Sequence, residues 1–367
     1  MVHEVDLGAR FARDYADARD KFFAACRLHG APVRSYTNPN RGPNGETLTT
    51  DTAWLGPEDA GRVLVLISAT HGVEGYCGSG AQIDWLLGPA TRALPADTAL
   101  LVVHAINPHG FAWRRRVTEE GCDLNRNFID FAGTLPSNPG YDEIADWVLP
   151  PALSGPEFDA AQARIQAYKD QHGERQWQIA FSSGQYKHAH GHFYGGTSPT
   201  WARRTLEAII EERDLARRRM VAVIDYHTGL GPYGYGEPIG GNPPGSEGLE
   251  RGRRWYGESL TSPTLGTSSS VPKSGMAEEM WVRRLGERVV YVALEYGTFP
   301  PQTGLVVLRE DHWLHRYTDV DWQAPETKRI KAAIKRRFYP ETRDWQEMML
   351  FRSRQIIRQA FAGLATS

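Results

Sequence analysis

Val63-Leu64-Val65-Leu66-Ile67 leads, after three residues, into His71-Gly72-Val73-Glu74-Gly75. An apolar run with three β-branched residues and no periodicity predicts a strand covered on both faces, as in a parallel sheet. Ligand crevices in open α/β sheets lie at the carboxyl ends of such strands. An imidazole and a carboxylate three positions apart can converge there on one cation. The pair by itself is a weak signal, and a hydrogen-bonded loop histidine is the alternative.

A buried strand followed by polar residues recurs three times along the chain. Apolar strands are predicted over residues 99–105, 220–224 and 289–294. They lead into a long polar loop, into His227 and into Glu295, respectively. Helical segments separate the strands. This alternation predicts an α/β fold with a mixed, largely parallel sheet flanked by helices.

The domain organisation follows from where the polar residues stand. A chain of 367 residues could form two or three domains. The polar ends of four strands have to meet, however, and this favours a single catalytic domain over residues 1–367. Its motif-bearing core spans about residues 60–300, with an N-terminal helix over 7–29 and a helical C-terminal segment over 301–367 packed on it.

Composition and charge exclude several classes of function. A formal charge of -2, from 42 basic and 44 acidic residues, provides no general attraction to nucleic acid or to an anionic membrane. The three cysteines are widely spaced and include no C-x-x-C pair, so neither a disulfide framework nor a cysteine zinc site is indicated. Residues 1–6 contain no apolar segment, and no apolar stretch approaches membrane-spanning length. We expect a cytoplasmic protein, and its oligomeric state stays open.

The residues at the strand ends are of the types that a catalytic zinc site needs. A catalytic zinc ion takes three protein ligands and leaves one position for water, and two histidines with one glutamate are a known set. A second glutamate is then free to act as a base. Arginine suits both a developing oxyanion and a substrate carboxylate. The residues available for these roles are His71, Glu74, His227, Glu295, Asn125, Arg126 and the run Arg114-Arg115-Arg116.

Short motifs in this order resemble the zinc carboxypeptidase superfamily, which also contains the aspartoacylase and succinylglutamate desuccinylase deacylases. The match is closest to a bacterial branch of it and covers roughly residues 60–300. The motifs are HGVEG at 71–75, NPHGF at 107–111, DLNRNF at 123–128, DYHTGLG at 225–231 and LEYGT at 294–298. The resemblance implies a zinc carboxypeptidase-like fold, which is a phosphorylase/hydrolase-like sandwich.

The resemblance also implies a role for each matching residue. One zinc ion would be bound by His71, Glu74 and His227, with Glu295 as the general base. Asn125 and Arg126 would bind the substrate carboxylate, and Asp123 would orient the first metal-binding histidine. For the arginine that faces the oxyanion, Arg116 is the first choice and Arg115 the second, on position alone.

Together these residues predict a zinc-dependent hydrolase that cleaves an amide or peptide bond next to a free carboxylate. The substrate is a peptide or a small molecule. The helical segment 301–367 favours a carboxypeptidase, because in the deacylases a β-rich domain follows the catalytic glutamate. The alternative is a deacylase of N-acyl amino acids, since the insertion at 129–218 could narrow the pocket. A metal-binding or ligand-binding module without turnover is the least favoured alternative.

Several other residues have more than one interpretation. His188, His190 and His192 could form a second metal site, but solvated loop histidines are commoner. Asp225 could support His227 or simply end a strand. Cys77 could be a nucleophile, although a buried thiol is commoner.

Ser270-Val-Pro-Lys273 fits the S-x-x-K motif of serine acylases, and Lys273-Ser274-Gly275 fits K-[ST]-G. One lysine cannot fill both roles. Both motifs also fall in one Pro/Gly/Ser loop, so we interpret them as a chance match.

Overall fold

The computed structural model describes residues 5–89 and 94–367. Residues 1–4 of the N-terminal segment discussed above lie outside the described residues. The strands are β1 (Val33–Arg41), β2 (Thr47–Leu55), β3 (Arg62–Ile67), β4 (Thr98–His104), β5 (Met220–Tyr233), β6 (Gly236–Gly240) and β7 (Val289–Gly297). The helices are α1 (Tyr15–Arg27), α2 (Gly75–Leu87), α3 (Pro108–Ala112), α4 (Pro139–Val148), α5 (Pro156–Ser182), α6 (Trp201–Glu212), α7 (Glu247–Tyr256), α8 (Ala277–Leu285), α9 (Gln302–Tyr317), α10 (Pro325–Phe338) and α11 (Arg343–Ala365).

The strands form a mixed sheet in the order β1-β2-β4-β3-β5-β7-β6. The four central strands β4, β3, β5 and β7 run parallel to one another. The outer strands pair antiparallel with their neighbours. Helices cover the sheet, and the predicted α/β fold with a mixed sheet flanked by helices is confirmed.

Side chains of the central strands alternate between two apolar cores, as the two-residue period of a strand requires. In β3, Leu64 and Leu66 face a core built with helices α1, α2 and α11. Val63, Val65 and Ile67 face the opposite core, built with helices α6 and α8. Both faces of β3 are therefore buried, which explains why its sequence is apolar without periodicity.

Two strands are longer than their apolar runs. The apolar runs predict strands that end before His227 and Glu295, but β5 continues to Tyr233 and β7 to Gly297. The two strands stay paired through this polar part, where His227 is the register partner of Glu295. Polar residues resembled a loop in the sequence because hydrophobicity alone cannot detect a strand that ends in a polar site.

The other differences lie at element ends and at the sheet edge. The opening helix begins at Tyr15 rather than at residue 7, because the Asp14 side chain accepts the Asp17 N–H and caps it there. Helix α7 was not predicted, and neither was β6, whose Gly/Pro-rich sequence is typical of turns. Within the described residues, no helix is long and apolar enough to cross a membrane.

The turn after β3 packs tightly against the turn that opens helix α3. A Cβ atom on Gly72 would lie 2.1 Å from the backbone carbon of Gly110. The Asn107 side chain in turn accepts the Gly110 N–H at 2.8 Å and caps α3. The glycine allows two motif turns to meet at the carboxyl edge of the parallel strands, beside the first histidine of the site.

Candidate active site and metal centre

Three side chains converge at the carboxyl edge of the central strands. His71 Nδ1 lies 3.1 Å from His227 Nδ1 and 3.1 Å from Glu74 Oε1. His227 Nδ1 lies 3.2 Å from Glu74 Oε2. All three residues are buried, with 6%, 1% and 3% of His71, Glu74 and His227 exposed. Among the described residues, these are the His, Cys, Asp and Glu side chains whose ligand atoms cluster closely enough to hold a metal ion.

The geometry of this group fits a metal ion. Two atoms bound tetrahedrally to one zinc ion at its usual distances lie about 3.3 Å apart. The separations of 3.1, 3.1 and 3.2 Å are close to that value. Two imidazole nitrogens and a carboxylate are also typical zinc ligands. The three side chains therefore fit a metal ion.

A carboxylate stands behind each histidine. His71 Nε2 lies 3.2 Å from Asp123 Oδ1, and His227 Nε2 lies 3.0 Å from Asp225 Oδ2. Asp225 also accepts hydrogen bonds from Thr70 and Tyr291. Carboxylates in this position set the tautomer and the basicity of metal-binding histidines. Asp123 and Asp225 thus occupy equivalent positions, and the role expected of Asp123 stays a prediction that applies equally to Asp225.

Neighbouring charges keep two carboxyls of this arrangement ionised. Burial opposes the charged form of Glu74, but the imidazoles of His71 and His227 keep the pKa of this carboxyl below its ordinary value. Burial likewise opposes ionisation of Asp123, yet Arg116 and Arg126 hold its pKa well below the ordinary value. Both carboxylates are therefore ionised at neutral pH.

Glu295 lies beside the group without belonging to it. It is the β7 register partner of His227, so the two side chains project from the same face of the sheet. Its Oε1 accepts the Leu230 N–H at 3.0 Å. Burial and the negative charge of Glu74 raise the pKa of Glu295 to about 7. A carboxylate with such a pKa can exchange a proton near neutral pH.

Of the three consecutive arginines, Arg116 contacts the His-Glu-His group. Its Nε donates to Asp123 Oδ2 at 2.9 Å, and its Nη1 donates to Glu74 Oε1 at 3.2 Å. Its Nη2 lies 2.8 Å from His71 Nε2. The guanidinium therefore neutralises the two carboxylates closest to the first histidine.

Arg115 is placed differently from its second-choice role in the sequence prediction. It donates to Asp311 Oδ2 of α9 at 3.0 Å, in a buried ion pair that Lys331 also joins. Arg114 lies over the Trp322 ring, 5.7 Å from its centre. Consecutive side chains outside a helix diverge, so only one of the three arginines faces the group.

The Asn125-Arg126 turn lies next to this arrangement. Asp123 caps the turn by accepting the Asn125 N–H at 3.0 Å. Arg126 is fully buried, and its Nη1 and Nη2 donate to the carbonyls of Asn125 and Ser182, each at 2.6 Å. The sequence predicts that Arg126 binds a substrate carboxylate, but in this structure backbone carbonyls occupy its Nη groups.

Two cations that the sequence did not assign to the site stand close to it. Arg337 of α10 donates to Thr298 and, at 3.0 Å, to the carbonyl of Gly229, next to the residue that binds Glu295. Lys273 interacts electrostatically with Arg126 and Glu295. Arg337 carries no motif signal because it lies outside residues 60–300. Lys273 was visible only as part of the S-x-x-K match.

The other candidate residues from the sequence, His188, His190, His192 and Cys77, do not belong to this group. His188 Nε2 pairs with Asp142 at 2.9 Å, His190 is exposed, and the buried His192 ring packs against His312 with centres 4.5 Å apart. Cys77 is fully buried, and burial with the charges of Glu74 and Glu295 raises the pKa of its thiol well above the ordinary value. A thiol of that kind is a poor nucleophile.

Several solved structures are similar to this chain. Carboxypeptidase A from Helicoverpa armigera is 13% identical, and the match covers 97% of this chain and 74% of that chain with a TM-score of 0.48. An aspartoacylase family protein from Mesorhizobium loti is 13% identical, with coverages of 77% and 66% and a TM-score of 0.36. Murein-tripeptide amidase MpaA from Escherichia coli O157 is 16% identical, with coverages of 79% and 93% and a TM-score of 0.35.

These identities and TM-scores are low, so the assignment to a family rests on the sequence. A comparison with curated proteins found no match. One family model, described as "Protein of unknown function (DUF2817)", matches residues 11–352. That span contains every residue of the His-Glu-His group, Glu295 and the Asn125-Arg126 turn. The chain belongs to the DUF2817 family.

Proposed function

We propose that this protein is a zinc-dependent hydrolase that cleaves an amide or peptide bond next to a free carboxylate. The observation that carries the proposal is the convergence of His71 Nδ1, Glu74 and His227 Nδ1, with Glu295 beside them and not among the ligand atoms. A pure binding module would have no use for a buried carboxylate held next to a metal site. The resemblance of the motifs to the zinc carboxypeptidase superfamily supports the same assignment.

In the proposed hydrolysis, a metal ion and the side chains around it would have separate roles. A zinc ion held by His71, Glu74 and His227 would acidify a water molecule and polarise the carbonyl that is attacked. Glu295 accepts the proton from the water and later delivers it to the nitrogen of the leaving amine. Arg116 provides a guanidinium beside this position for the negative charge that develops on the carbonyl oxygen.

A carboxypeptidase is the first candidate within this class. Residues 301–367 form the three helices α9, α10 and α11, as the sequence predicts, and not a β-rich domain. Their contacts reach the strand ends, where Trp345 donates to the carbonyl of Gly297 at 2.8 Å and the carbonyl of Phe338 accepts a hydrogen bond from Thr228. Residues 301–367 thus support the site with helices, at the point in the chain where a β-rich domain is expected in the deacylases.

A deacylase of small N-acyl amino acids is the second candidate. The segment between α5 and α6, residues 183–200, favours it. Phe193 stacks on two arginines, with its ring centre 5.1 Å from the guanidinium carbon of Arg116 and 5.4 Å from that of Arg126. Tyr186 donates to the carbonyl of Arg126 at 2.7 Å. Aromatic rings packed this closely against the turn leave less room for a long peptide.

Other aspects of the proposal concern the whole chain. We propose a single catalytic domain, because one continuous apolar core includes residues from Phe11 to Leu364. We also propose a cytoplasmic location, in keeping with the free cysteines Cys26, Cys77 and Cys122.

The test combines metal analysis with substrate profiling. We expect one zinc ion per chain and hydrolysis of N-acyl amino acids or peptides that end in a free carboxylate. Carboxypeptidase activity predicts faster cleavage of acylated dipeptides, whereas deacylase activity predicts rates that fall as the acyl group grows. A purified protein without stoichiometric metal, or one that hydrolyses no member of the panel when loaded with zinc, would refute the proposed function.

A further inference from the structure

Arg126 is enclosed by protein on the side where a substrate carboxylate would have to approach. None of its surface is exposed, and both of its Nη groups donate to backbone carbonyls. A Cβ atom on Gly184 would lie 2.7 Å from Arg126 Cδ and 3.3 Å from Nε, so this backbone closes over the remaining donor. A residue held in this way braces its turn, and the free carboxylate of a substrate needs another cation.

Lys273 is the half-buried cation next to this turn. Its ammonium donates to Ser270 Oγ and to the carbonyl of Val271. Its charge interacts with those of Arg126, Glu295, Glu278 and Arg116, which surround the candidate site. Among the described residues, no carboxylate forms an ion pair with Lys273. An ammonium enclosed in this way without an ion pair is costly unless an anion approaches it.

Lys273 lies in the loop before α8, residues 260–276. Hydrogen bonds attach the end of this loop to the Asn125-Arg126 turn. The carbonyl of Gly275 accepts the Phe128 N–H at 3.1 Å, and Asn125 Oδ1 accepts the Ala277 N–H at 2.9 Å. Gly275 has φ +74°, and a Cβ atom there would lie 2.3 Å from the carbonyl oxygen of Arg126. Only glycine lets the loop come this close to the turn.

The other end of the loop is attached to the edge strand. Glu237 of β6 is buried and accepts hydrogen bonds from Thr261 at 2.6 Å and from the Ser269 N–H at 3.1 Å. In the sheet, Glu237 is the register partner of Glu295. Both ends of the loop are thus tied to residues next to the site, so Lys273 is held at a defined position.

We propose that Lys273 is the residue that pairs with the free carboxylate of the substrate, and that Arg126 is a positioning residue that holds the turn behind it. This inference rests on the proposed function. Asn125 stays a substrate-binding residue, since its Oδ1 is occupied by Ala277 and its amide nitrogen donates to no other described residue. The Ser270-Lys273 contact, first interpreted as a chance motif, orients the ammonium.

Glu278 is the carboxylate that could compete for Lys273. It stands in the first turn of α8 and interacts with Lys273 through charge alone, beyond ion-pair distance. Burial raises the pKa of Glu278 to about 7. Burial lowers the pKa of Lys273 to about 8, so at neutral pH the lysine is mostly protonated while the glutamate is only partly ionised.

The experiment measures binding separately from turnover. Zinc-loaded protein carrying Glu295→Gln is titrated calorimetrically with N-acetyl derivatives of leucine, phenylalanine, glutamate and lysine, each as the free acid and as the carboxamide. We expect the free acid of at least one pair to bind about 10- to 100-fold more tightly than its amide, as a charge-assisted hydrogen bond implies. Adding Lys273→Met should make the affinity for the free acid equal to that for the amide, and should leave the affinity for the amide unchanged.

Three further variants complete the design. Lys273→Arg keeps the charge and should retain most of the ratio. Ser270→Ala removes the orienting hydroxyl and should reduce the ratio only a few-fold. Lys328→Met removes an exposed lysine of α10 and should leave the ratio at the value of the parent protein.

The outcomes separate the inference from the proposed function. A Lys273→Met protein that still prefers the free acid overturns the inference, whatever the turnover. A preference that depends on Lys273 in a protein whose wild type hydrolyses nothing overturns the proposed function and leaves the inference standing. If no pair binds at all, both are overturned. Unchanged zinc content and unchanged amide binding show that the Lys273→Met protein is folded.

Discussion

The candidate site has two sides whose charges are arranged differently. We call them the metal-binding side, with the His-Glu-His group, Asp123 and Arg116, and the loop side, with Arg126 and Lys273. On the metal-binding side, Glu74 and Asp123 are ionised and contact Arg116, and each histidine faces a carboxylate. On the loop side, Arg126 and Lys273 form no ion pair with the described residues, and carbonyl or hydroxyl oxygens hold them. The first side presents imidazole and carboxylate ligand atoms, and the second presents cations that form no ion pair with a carboxylate of the described residues.

Under the proposed function, this difference separates the residues that bind the substrate from those that bind the metal ion. In the proposed function, the first side would hold a metal ion, and the second would pair with the carboxylate of the substrate. The first side lies at the carboxyl ends of strands β3, β5 and β7, whereas the second belongs to loops that glycines bring together. Substitutions on the two sides should therefore affect different measurements: metal content on the first and substrate affinity on the second.

The largest effect is expected from His227→Ala. Removing a ligand should cost more than the roughly 100-fold loss of affinity that follows loss of an outer partner. Both zinc content and activity should disappear, as measured by elemental analysis and a chelator competition. His188→Ala is the matched control, because His188 pairs with Asp142 away from the group. Full zinc occupancy of the His227→Ala protein would contradict the assigned ligand set.

Glu295→Gln should have the next largest effect, and only on catalysis. Loss of a general base lowers kcat/KM by about 10²- to 10⁴-fold, while zinc content should stay at one ion per chain because Glu295 is not among the ligand atoms. Rates and metal content are measured on the same preparation. Loss of zinc together with activity would place Glu295 among the ligands.

The pH profile of the wild type provides a second test of Glu295. Burial and the charge of Glu74 raise its pKa to about 7, and the base must be ionised to accept a proton. Activity therefore falls as the pH is lowered through that pKa, and a bound cation moves the midpoint towards the ordinary value of about 4.3. A kcat/KM that stays constant from pH 4 to pH 8 would exclude Glu295 as the base.

Asp123→Asn and Asp225→Asn should each weaken zinc binding by about 10- to 100-fold. Each substitution removes the negative charge behind one histidine and keeps a similar shape, and asparagine can still cap the turn after position 123. Asp142→Asn, on the half-exposed partner of His188, is the control. Equal zinc affinity in all three variants would show that these carboxylates do not tune the histidines.

The smallest effect on the site is expected from Gly275→Ala. Both Gly275 and Gly266 have positive φ, of +74° and +72°, but only at Gly275 would a Cβ atom collide with Arg126. Each alanine costs about 1–2 kcal/mol for its backbone conformation. Gly275→Ala should cost more than Gly266→Ala in urea unfolding and should also raise KM, with zinc content unchanged. Identical effects of the two substitutions would argue against close packing of loop and turn.

Much of the metal-binding side could be predicted from the sequence. His71 and Glu74 share one turn after a recognisable buried strand, and His227 and Glu295 follow two other apolar runs. Parallel strands bring their carboxyl ends to one edge, so the topology alone places these residues together. Even so, apolar runs could not show that His227 and Glu295 lie within their strands as register partners.

The loop side could not be predicted in the same way. Lys273 reaches the Asn125-Arg126 turn across almost 150 positions of sequence, through contacts of Gly275 and Ala277. Arg337 reaches the end of β5 from α10. Neither residue has a local spacing that indicates its partner, because both contacts depend on how separate elements pack.

The sequence by itself determined the alternation of strands and helices and the residues that can bind a metal ion, since strand burial and short motif spacing are local properties. Only the tertiary structure decided which arginine of the run 114–116 faces the metal-binding group, that Arg126 is enclosed, and that Lys273 stands next to it. These are questions of side-chain direction and of long-range packing. A candidate metal ligand can be predicted from one strand and the residues that follow it. Which charges are paired depends on all the elements that pack around the site.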